Sequence, residues 1–156
     1  MTLNDLKDVL ELYGFRKTGK QFVKSDVHYI IKLAMDILPS RLVHRIMIHL
    51  HRTADDEFMA DFSLDEMFIE DKLFIINRLP IKDKNNLDYT LFLRKFSDEY
   101  LPIMSKMGTN EGVATLYPSH IKGRGLITWK LREELKNFDG WIGINRSPST
   151  QCHHCW

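Results

Sequence analysis

The sequence lacks the features that would place it in a membrane or among disulfide-bonded proteins. No apolar run approaches the length of about 18 residues that a membrane-spanning helix needs. The first residues, MTLNDLKDVL, include acidic side chains and no continuous apolar segment, so we expect no signal peptide. The only two cysteines are Cys152 and Cys155, which excludes a disulfide framework and favours a reducing, cytoplasmic location.

The sequence also lacks internal repeats, low-complexity tracts and a specific catalytic signature. A length of 156 residues suits a single domain. With 44% hydrophobic and 28% charged residues, the composition is that of a globular protein and not of a disordered one. We therefore predict one domain over residues 1–140, followed by a tail over residues 141–156.

Charge is distributed unevenly along the chain, although the net charge is only +1. Residues 1–53 carry nine basic and five acidic side chains, whereas residues 54–80 carry two basic and eight acidic ones. Residues 81–156 carry eleven and eight, respectively. An acidic segment between two basic ones argues against a nucleic-acid binder with one dominant basic field. It favours contacts with partners through patches of opposite sign.

Hydrophobic periodicity predicts an α+β fold. Apolar residues at helical spacing indicate an N-terminal helix over residues 3–13, which Gly14 ends. The segments KTGKQFVKS, VHYIIKLAMD and RLVHRIMIHLHRT alternate as strands do, and we expect Val27 to point inward with Tyr29. We predict an antiparallel meander of about four to five strands with C-terminal helices packed on one face, followed by an irregular tail.

Two later segments are harder to assign. Residues 57–79 predict one or two further strands, with Glu70-Asp71-Lys72 as a hairpin turn between MFI and LFII. The alternative is a short helix at Ser63, which has Glu66 at the capping-box spacing. Towards the C-terminus we expect a helix that Pro118 stops and a last helix that includes Leu126 and Ile127.

The opening segment LKDVLELYGFRKTGKQFVKS, followed by two long alternating strands, resembles the start of small bacterial domains of unknown function of the DUF4304 type. The shared pattern is a helix, then Gly14-Phe15, Lys17, Lys20 and Phe22, and it covers about the first third of the chain. The resemblance implies no known activity.

The chain ends in QCHHCW, which permits three interpretations. Cys152 and Cys155 have the spacing of a zinc knuckle, which His153, His154 or a distant histidine would complete. A redox pair is disfavoured, because such motifs sit at a helix N-terminus, where the dipole lowers a cysteine pKa. The favoured interpretation has no metal or other cofactor: the tail docks on a partner and is anchored by Trp141 and Trp156.

Basic side chains are predicted to line one face of the sheet. Arg45, His49 and His51 alternate with apolar residues on one strand, and Lys32 joins them from the preceding strand. Such a face could hold a phosphate, a nucleic acid or a metal ion. The segment His51-Arg52-Thr53 has the form of one H-x-T element of two-histidine phosphoesterases, but the sequence has no second one.

The acidic segment offers a further alternative. Asp61, Glu70 and Lys72 fit the loose outline of a metal-dependent nuclease, in which carboxylates hold Mg²⁺ and a lysine orients the attacking water.

Three hypotheses follow from the sequence. The first is a non-enzymatic interaction or assembly module that binds a protein partner or itself, for example in a viral, phage or other multi-subunit complex, in the host cytoplasm if viral. The second is a small metal-dependent nuclease or phosphoesterase. The third is a phosphate- or nucleic-acid-binding domain, which we favour less than a protein partner. We expect no membrane contact.

Overall fold

The computed structural model describes residues 2–37, 44–71 and 87–138. In the N-terminal half, a 3-10 turn leads into one helix, five strands and a short helix. In order these are the turn Leu3–Leu6, α1 (Lys7–Leu12), β1 (Arg16–Thr18), β2 (Gln21–Ser25), β3 (Tyr29–Ile37), β4 (His44–Arg52), β5 (Phe58–Ser63) and α2 (Leu64–Met67). In the C-terminal half, the described residues form four α-helices and one two-residue strand: α3 (Leu87–Lys95), α4 (Leu101–Ser105), α5 (Asn110–Leu116), β6 (Leu126–Ile127) and α6 (Trp129–Lys136). Two π-helical turns, Phe96–Tyr100 and Tyr117–Ile121, and a 3-10 turn, Lys106–Gly108, extend these helices.

The predicted N-terminal helix is confirmed, and Gly14 ends it as expected. The backbone N–H of Thr2 donates to the Asp5 carboxylate at 2.8 Å, which satisfies one of the free donors at the helix start. Gly14 follows the helix at φ +89°, a left-handed conformation that glycine adopts without a steric cost. The chain then reverses, and Phe15 becomes buried.

The six strands form one antiparallel sheet in the order β1-β2-β3-β4-β5-β6. The predicted α+β class and antiparallel meander are confirmed. The strand number exceeds the expected four to five for two reasons. KTGKQFVKS is not one strand but a hairpin that turns at Gly19, where φ is +63°. The second reason is β6, which pairs with β5 far along the chain.

The strand register separates a core face from a second face. Ile31 pairs with Leu50 and Leu33 with Ile48, and these four side chains are buried. Residues one position along each strand point to the opposite face. Val27 is an exception to the predicted pattern, because it lies before β3 and is 71% exposed. The inward orientation expected for Val27 is therefore wrong.

The acidic segment forms one strand and then a helix. Ser63 ends β5 and caps α2: its hydroxyl accepts from the Glu66 N–H, and the Glu66 carboxylate accepts from the Ser63 N–H at 3.0 Å. Because this reciprocal cap starts a helical turn, Met67 belongs to α2 and residues 68–70 form a turn. The predicted strand MFI is wrong, and the alternative of a short helix at Ser63 is confirmed.

The helical half packs on the core face of the sheet, as predicted. Buried side chains from α3 to α6 form one cluster with those of the strands, among them Phe92, Phe96, Leu101, Met104, Val113, Leu131 and Leu135. Two expectations are wrong here. Pro118 lies within a π-helical turn, Tyr117–Ile121, that extends α5. The last helix starts at Trp129 and does not include Leu126 and Ile127. Gly123 and Gly125 have positive φ, and the chain that follows them enters the sheet as β6 before the helix begins.

Several predicted features lie outside the described residues. They are Lys72 and the strand LFII, and the tail with its two tryptophans, two cysteines and two histidines. The domain boundary at residue 140 lies there too. Within the three described ranges, no helix has both the length and the apolar character needed to cross a bilayer.

Candidate functional site

The face of the sheet opposite the core, here called the open face, carries the histidines and cations that the sequence singled out. The register places Lys32 opposite His49, and His49 opposite Asp61, so the three form one row across β3, β4 and β5. His51 and Arg45 lie on the same face of β4, since they are separated from His49 by an even number of residues. Their side chains are 20–32% exposed together with those of Lys32 and Asp61.

His49 and Asp61 form a cross-strand pair at the centre of the open face. His49 Nδ1 lies 3.2 Å from Asp61 Oδ1. The same oxygen is buried and receives no hydrogen bond of acceptable direction. The contact is therefore a close polar approach and not a well-aligned hydrogen bond.

Asp56 joins two further residues of the open face. It lies in the β4–β5 turn at φ +58°, which brings its carboxylate back over the strands. Its Oδ1 atom is 3.2 Å from Lys32 Nζ and 3.2 Å from His51 Nδ1. The charge of Lys32 is thus offset by a carboxylate from the acidic segment.

Arg45 is held in a network at the other end of the open face. Its guanidinium donates to both carboxylate oxygens of Asp65, at 3.2 and 3.0 Å, and to Ser63 Oγ at 2.7 Å. The hydrogen bond to Asp65 raises the pKa of Arg45 above its usual value. Asp65 is 7% exposed, so Arg45 compensates a nearly buried charge.

These contacts change the meaning of the uneven charge distribution. Arg52 also has carboxylate partners, Asp55 at 2.8 Å and Glu134 at 3.2 Å. Every lysine and arginine of β3 and β4 therefore contacts an acidic residue. Carboxylates of the acidic segment, residues 54–80, therefore largely neutralise the lysine and arginine side chains of the neighbouring strands. As a result, the open face carries little net charge. Paired cations of this kind offer weak attraction to a phosphate.

Of the residues of the nuclease alternative, the structure describes Asp61 and Glu70, which lie in different elements, but not Lys72. Asp61 lies in β5 beside His49, whereas Glu70 is exposed in the turn after α2. Within residues 2–37, 44–71 and 87–138, no group of three or more His, Cys, Asp or Glu side chains is close enough to hold a metal ion. The zinc alternative at Cys152, His153, His154 and Cys155 lies outside those ranges and stays a prediction.

Sequence reasoning missed a partly buried polar cluster between the end of the acidic segment and the helical half. Asp71 accepts hydrogen bonds from the Tyr100 hydroxyl and, at 2.8 Å, from Lys95 Nζ. Burial raises the pKa of Tyr100, and the hydrogen bond to Asp71 raises it further. The Phe68 ring lies 4.5 Å from that of Tyr100. Helical spacing could have paired Lys95 with Glu99, but no local pattern points from Asp71 to a helix so far along the chain.

His120 provides a pH-dependent contribution to stability. Its ring packs edge-on against Phe68, with centroids 5.5 Å apart. Burial lowers its pKa below the ordinary value of 6.5, and the positive charges of Arg124 and Lys106 lower it further. Below pH 6.5 the unfolded chain therefore binds more protons at this residue than the folded one, so stability falls as pH falls.

We expect His120→Gln to flatten that pH dependence. Between pH 7.5 and pH 5 the wild type should lose measurably more unfolding free energy than the variant, by up to about 1 kcal/mol because the ring is partly solvated. Urea titrations at the two pH values measure it. A variant that loses as much stability on acidification as the wild type would contradict the assignment.

Two apolar side chains are exposed where the sheet ends at β6. Leu126 lies opposite Asp61, which places it on the open face, and it is 57% exposed. Trp129 begins α6 and is 67% exposed. Thr128 fixes both, because its hydroxyl caps α6 and donates to the Met59 carbonyl at 2.7 Å. An exposed tryptophan is a frequent energetic centre of protein interfaces.

Comparison with known proteins adds no assignment. No protein-family model matches the chain, and no curated protein or solved structure is significantly similar to it. The resemblance of the opening segment to DUF4304-type domains stays a prediction.

Proposed function

We propose that this chain is a non-enzymatic protein-interaction module that associates with a second copy of itself through the open face and its β6 edge. The observation that carries the proposal is the exposure of Leu126 and Trp129 beside a sheet face whose charges are already paired.

Self-association is supported by the charge pattern of the open face. A two-fold interface brings a surface patch against its own copy, so the patch must be complementary to itself. A strongly basic or acidic face would repel its copy, whereas the pairs Lys32–Asp56 and Arg45–Asp65 leave neither sign of charge dominant on the open face. The partly exposed rings and aliphatic groups between these pairs then gain from losing contact with water.

The size of the open face is sufficient for a specific but modest interface. Strands β3 and β4 have nine residues each, so the face is about 30 Å long and, over four strands, about 19 Å wide. Two copies packed face to face would bury about 1,100 Å², slightly above the value of about 1,000 Å² expected of a biological interface. Trp129 adds area at the rim. We therefore expect a dimer that dissociates on dilution.

Sedimentation velocity over a range of protein concentrations tests the proposal. We expect a monomer–dimer equilibrium whose dissociation constant rises at least about tenfold in the variant Leu126→Ser/Trp129→Ala, since anchors of this type contribute more than about 1.4 kcal/mol. Both side chains are largely exposed, so the melting temperature should barely change.

The matched control is Leu12→Ser, which removes an exposed leucine from the end of α1, a position 84% exposed to solvent. This control should leave the equilibrium unchanged. A wild-type chain that stays monomeric at every concentration, or an equal loss in the control, would refute self-association through this surface. Nothing in the described residues favours the nuclease or phosphoesterase alternatives enough to support a second proposal.

A further inference from the structure

The β1–β2 hairpin carries charge of one sign only. We define the basic hairpin by its four cations, Arg16, Lys17, Lys20 and Lys24. No acidic residue occurs between residues 12 and 25. All three residues of β1 are exposed, as are both residues of the turn, Gly19 and Lys20.

The cations of the basic hairpin differ from those of the open face because no carboxylate neutralises them. Among the described residues, none of the four forms an ion pair, whereas Lys32, Arg45 and Arg52 all do. Charged side chains on an edge strand protect it from pairing with other chains. That role accounts for Arg16 and Lys17 on β1. It does not account for Lys20, which lies in the turn. Nor does it account for Lys24, because β2 pairs with β1 and β3 and is not an edge strand.

An open groove runs beside the basic hairpin, between it and α1. The groove is lined by Lys7, Glu11, Gly14, Phe15, Arg16 and Lys17. Lys24 borders the same region, because its side chain lies beside Gly14. A Cβ at Gly14 would be 3.7 Å from Lys24 Cε. Glu11 is its only acidic lining residue and lies 3.8 Å from Lys7, so Arg16, Lys17 and Lys24 remain available to an anion.

We propose that the basic hairpin binds the phosphate backbone of a nucleic acid without sequence preference. Four cations without an ion pair among the described residues, gathered at one edge of the sheet, attract a polyanion through its phosphates. Thr18 and Gln21 at the end of the hairpin supply neutral hydrogen-bonding groups, which commonly contact phosphate oxygens. An anionic membrane is less suitable, because β1 and the turn have no apolar side chain to insert among lipids.

This surface is largely separate from the one proposed for self-association. Of the three strand cations, the register places only Arg16 on the open face, in one row with Lys32 and His49, whereas Lys17 and Lys24 lie on the opposite face. The basic hairpin forms one edge of the sheet and β6 forms the other. Five strand spacings separate the two edges, which is about 24 Å. A dimer that packs through the open face and the β6 edge would leave the groove beside α1 accessible. The failure of either proposal is therefore distinguishable from the failure of the other.

Fluorescence anisotropy with a labelled 20-base-pair DNA duplex tests the inference. Four phosphate contacts predict that affinity falls roughly 100-fold between about 50 and 200 mM salt. In the variant Arg16→Ala/Lys17→Ala/Lys20→Ala only one contact remains, and the same salt change should lower its affinity only about fourfold. All three side chains are exposed, so the circular dichroism spectrum and melting temperature should match those of the wild type.

The control is the variant Arg94→Ala/Lys106→Ala/Lys122→Ala, which removes the same charge from exposed positions of the helical half. It should retain the wild-type salt dependence. An equal loss in this control would show that binding follows net charge alone and would overturn the proposal. Absence of binding at 50 mM salt would do the same, as would tighter binding to phosphatidylserine vesicles than to the duplex.

Discussion

Ile48→Ala is expected to lower the free energy of unfolding by about 2–5 kcal/mol, while His49→Ala, one residue along β4, should lower it by less than about 1 kcal/mol. Ile48 has no exposed surface and pairs with Leu33 and Phe62 on the core face. Its truncation removes buried methyl groups and leaves a cavity. His49 is 27% exposed and contributes one solvated contact to Asp61.

Chemical denaturation of the two variants measures this contrast. The comparison is internally controlled, because both substitutions shorten a side chain to alanine in the same strand. Equal losses would show that β4 has a different register from the one described here. Met47→Ala offers a second open-face position, and we expect it to resemble His49→Ala more than Ile48→Ala.

Gly125→Ala is expected to destabilise the chain by about 3 kcal/mol, for two reasons that add. Gly125 has φ +48°, which costs any other L-residue about 1 kcal/mol or more. A Cβ there would also lie 2.2 Å from the Asp61 carbonyl oxygen and 2.8 Å from Phe62 Cα, so the backbones of β5 and β6 would have to separate. Pairing of Leu126 with Asp61 would be lost or displaced.

Gly123→Ala isolates the backbone contribution. Gly123 also has positive φ, at +76°, but a Cβ there would meet nothing within 4 Å. We expect a loss of about 1 kcal/mol for this variant. If the thermal midpoints of the two variants agree, the close approach at Gly125 has no energetic consequence and the description of the β5–β6 contact is incorrect. Because Gly125 positions Leu126, only Gly125→Ala should also weaken the proposed dimer.

The sequence was sufficient to predict the parts of the fold that depend on local pattern. Alternation in β3 and β4 predicted which side chains face the core, and the buried Ile46 and Ile48 confirm it. Arg45, His49 and His51 were predicted to share a face with Lys32, and the strand register places them there. Period-two alternation extends over nine residues in each strand, which makes the signal hard to mistake.

The parts that escaped prediction depend on contacts between distant segments. β6 contains two residues, too few for any periodicity, and its partner is β5. The carboxylates that neutralise Lys32 and Arg45 come from Asp56 and Asp65, which appear in the sequence only as members of an acidic run. In the sequence, this acidic run suggested that the protein surface has separate patches of opposite charge. In the structure, its carboxylates instead neutralise the cations of the neighbouring strands. Pairing of this kind follows from register and turn geometry, which composition does not reveal.

The late position of β6 in the chain has a consequence for biosynthesis. Each of β1 to β5 pairs with its neighbour in sequence, so these five strands can assemble while the chain is still emerging from the ribosome. β6 follows only after α3, α4 and α5 have been translated. Until then β5 has an uncovered edge with free backbone donors and acceptors, beside core residues such as Phe62 that still lack their helical cover. A nascent chain paused within the helical half would expose this edge to other chains, and this is the stage at which we expect chaperone binding or aggregation.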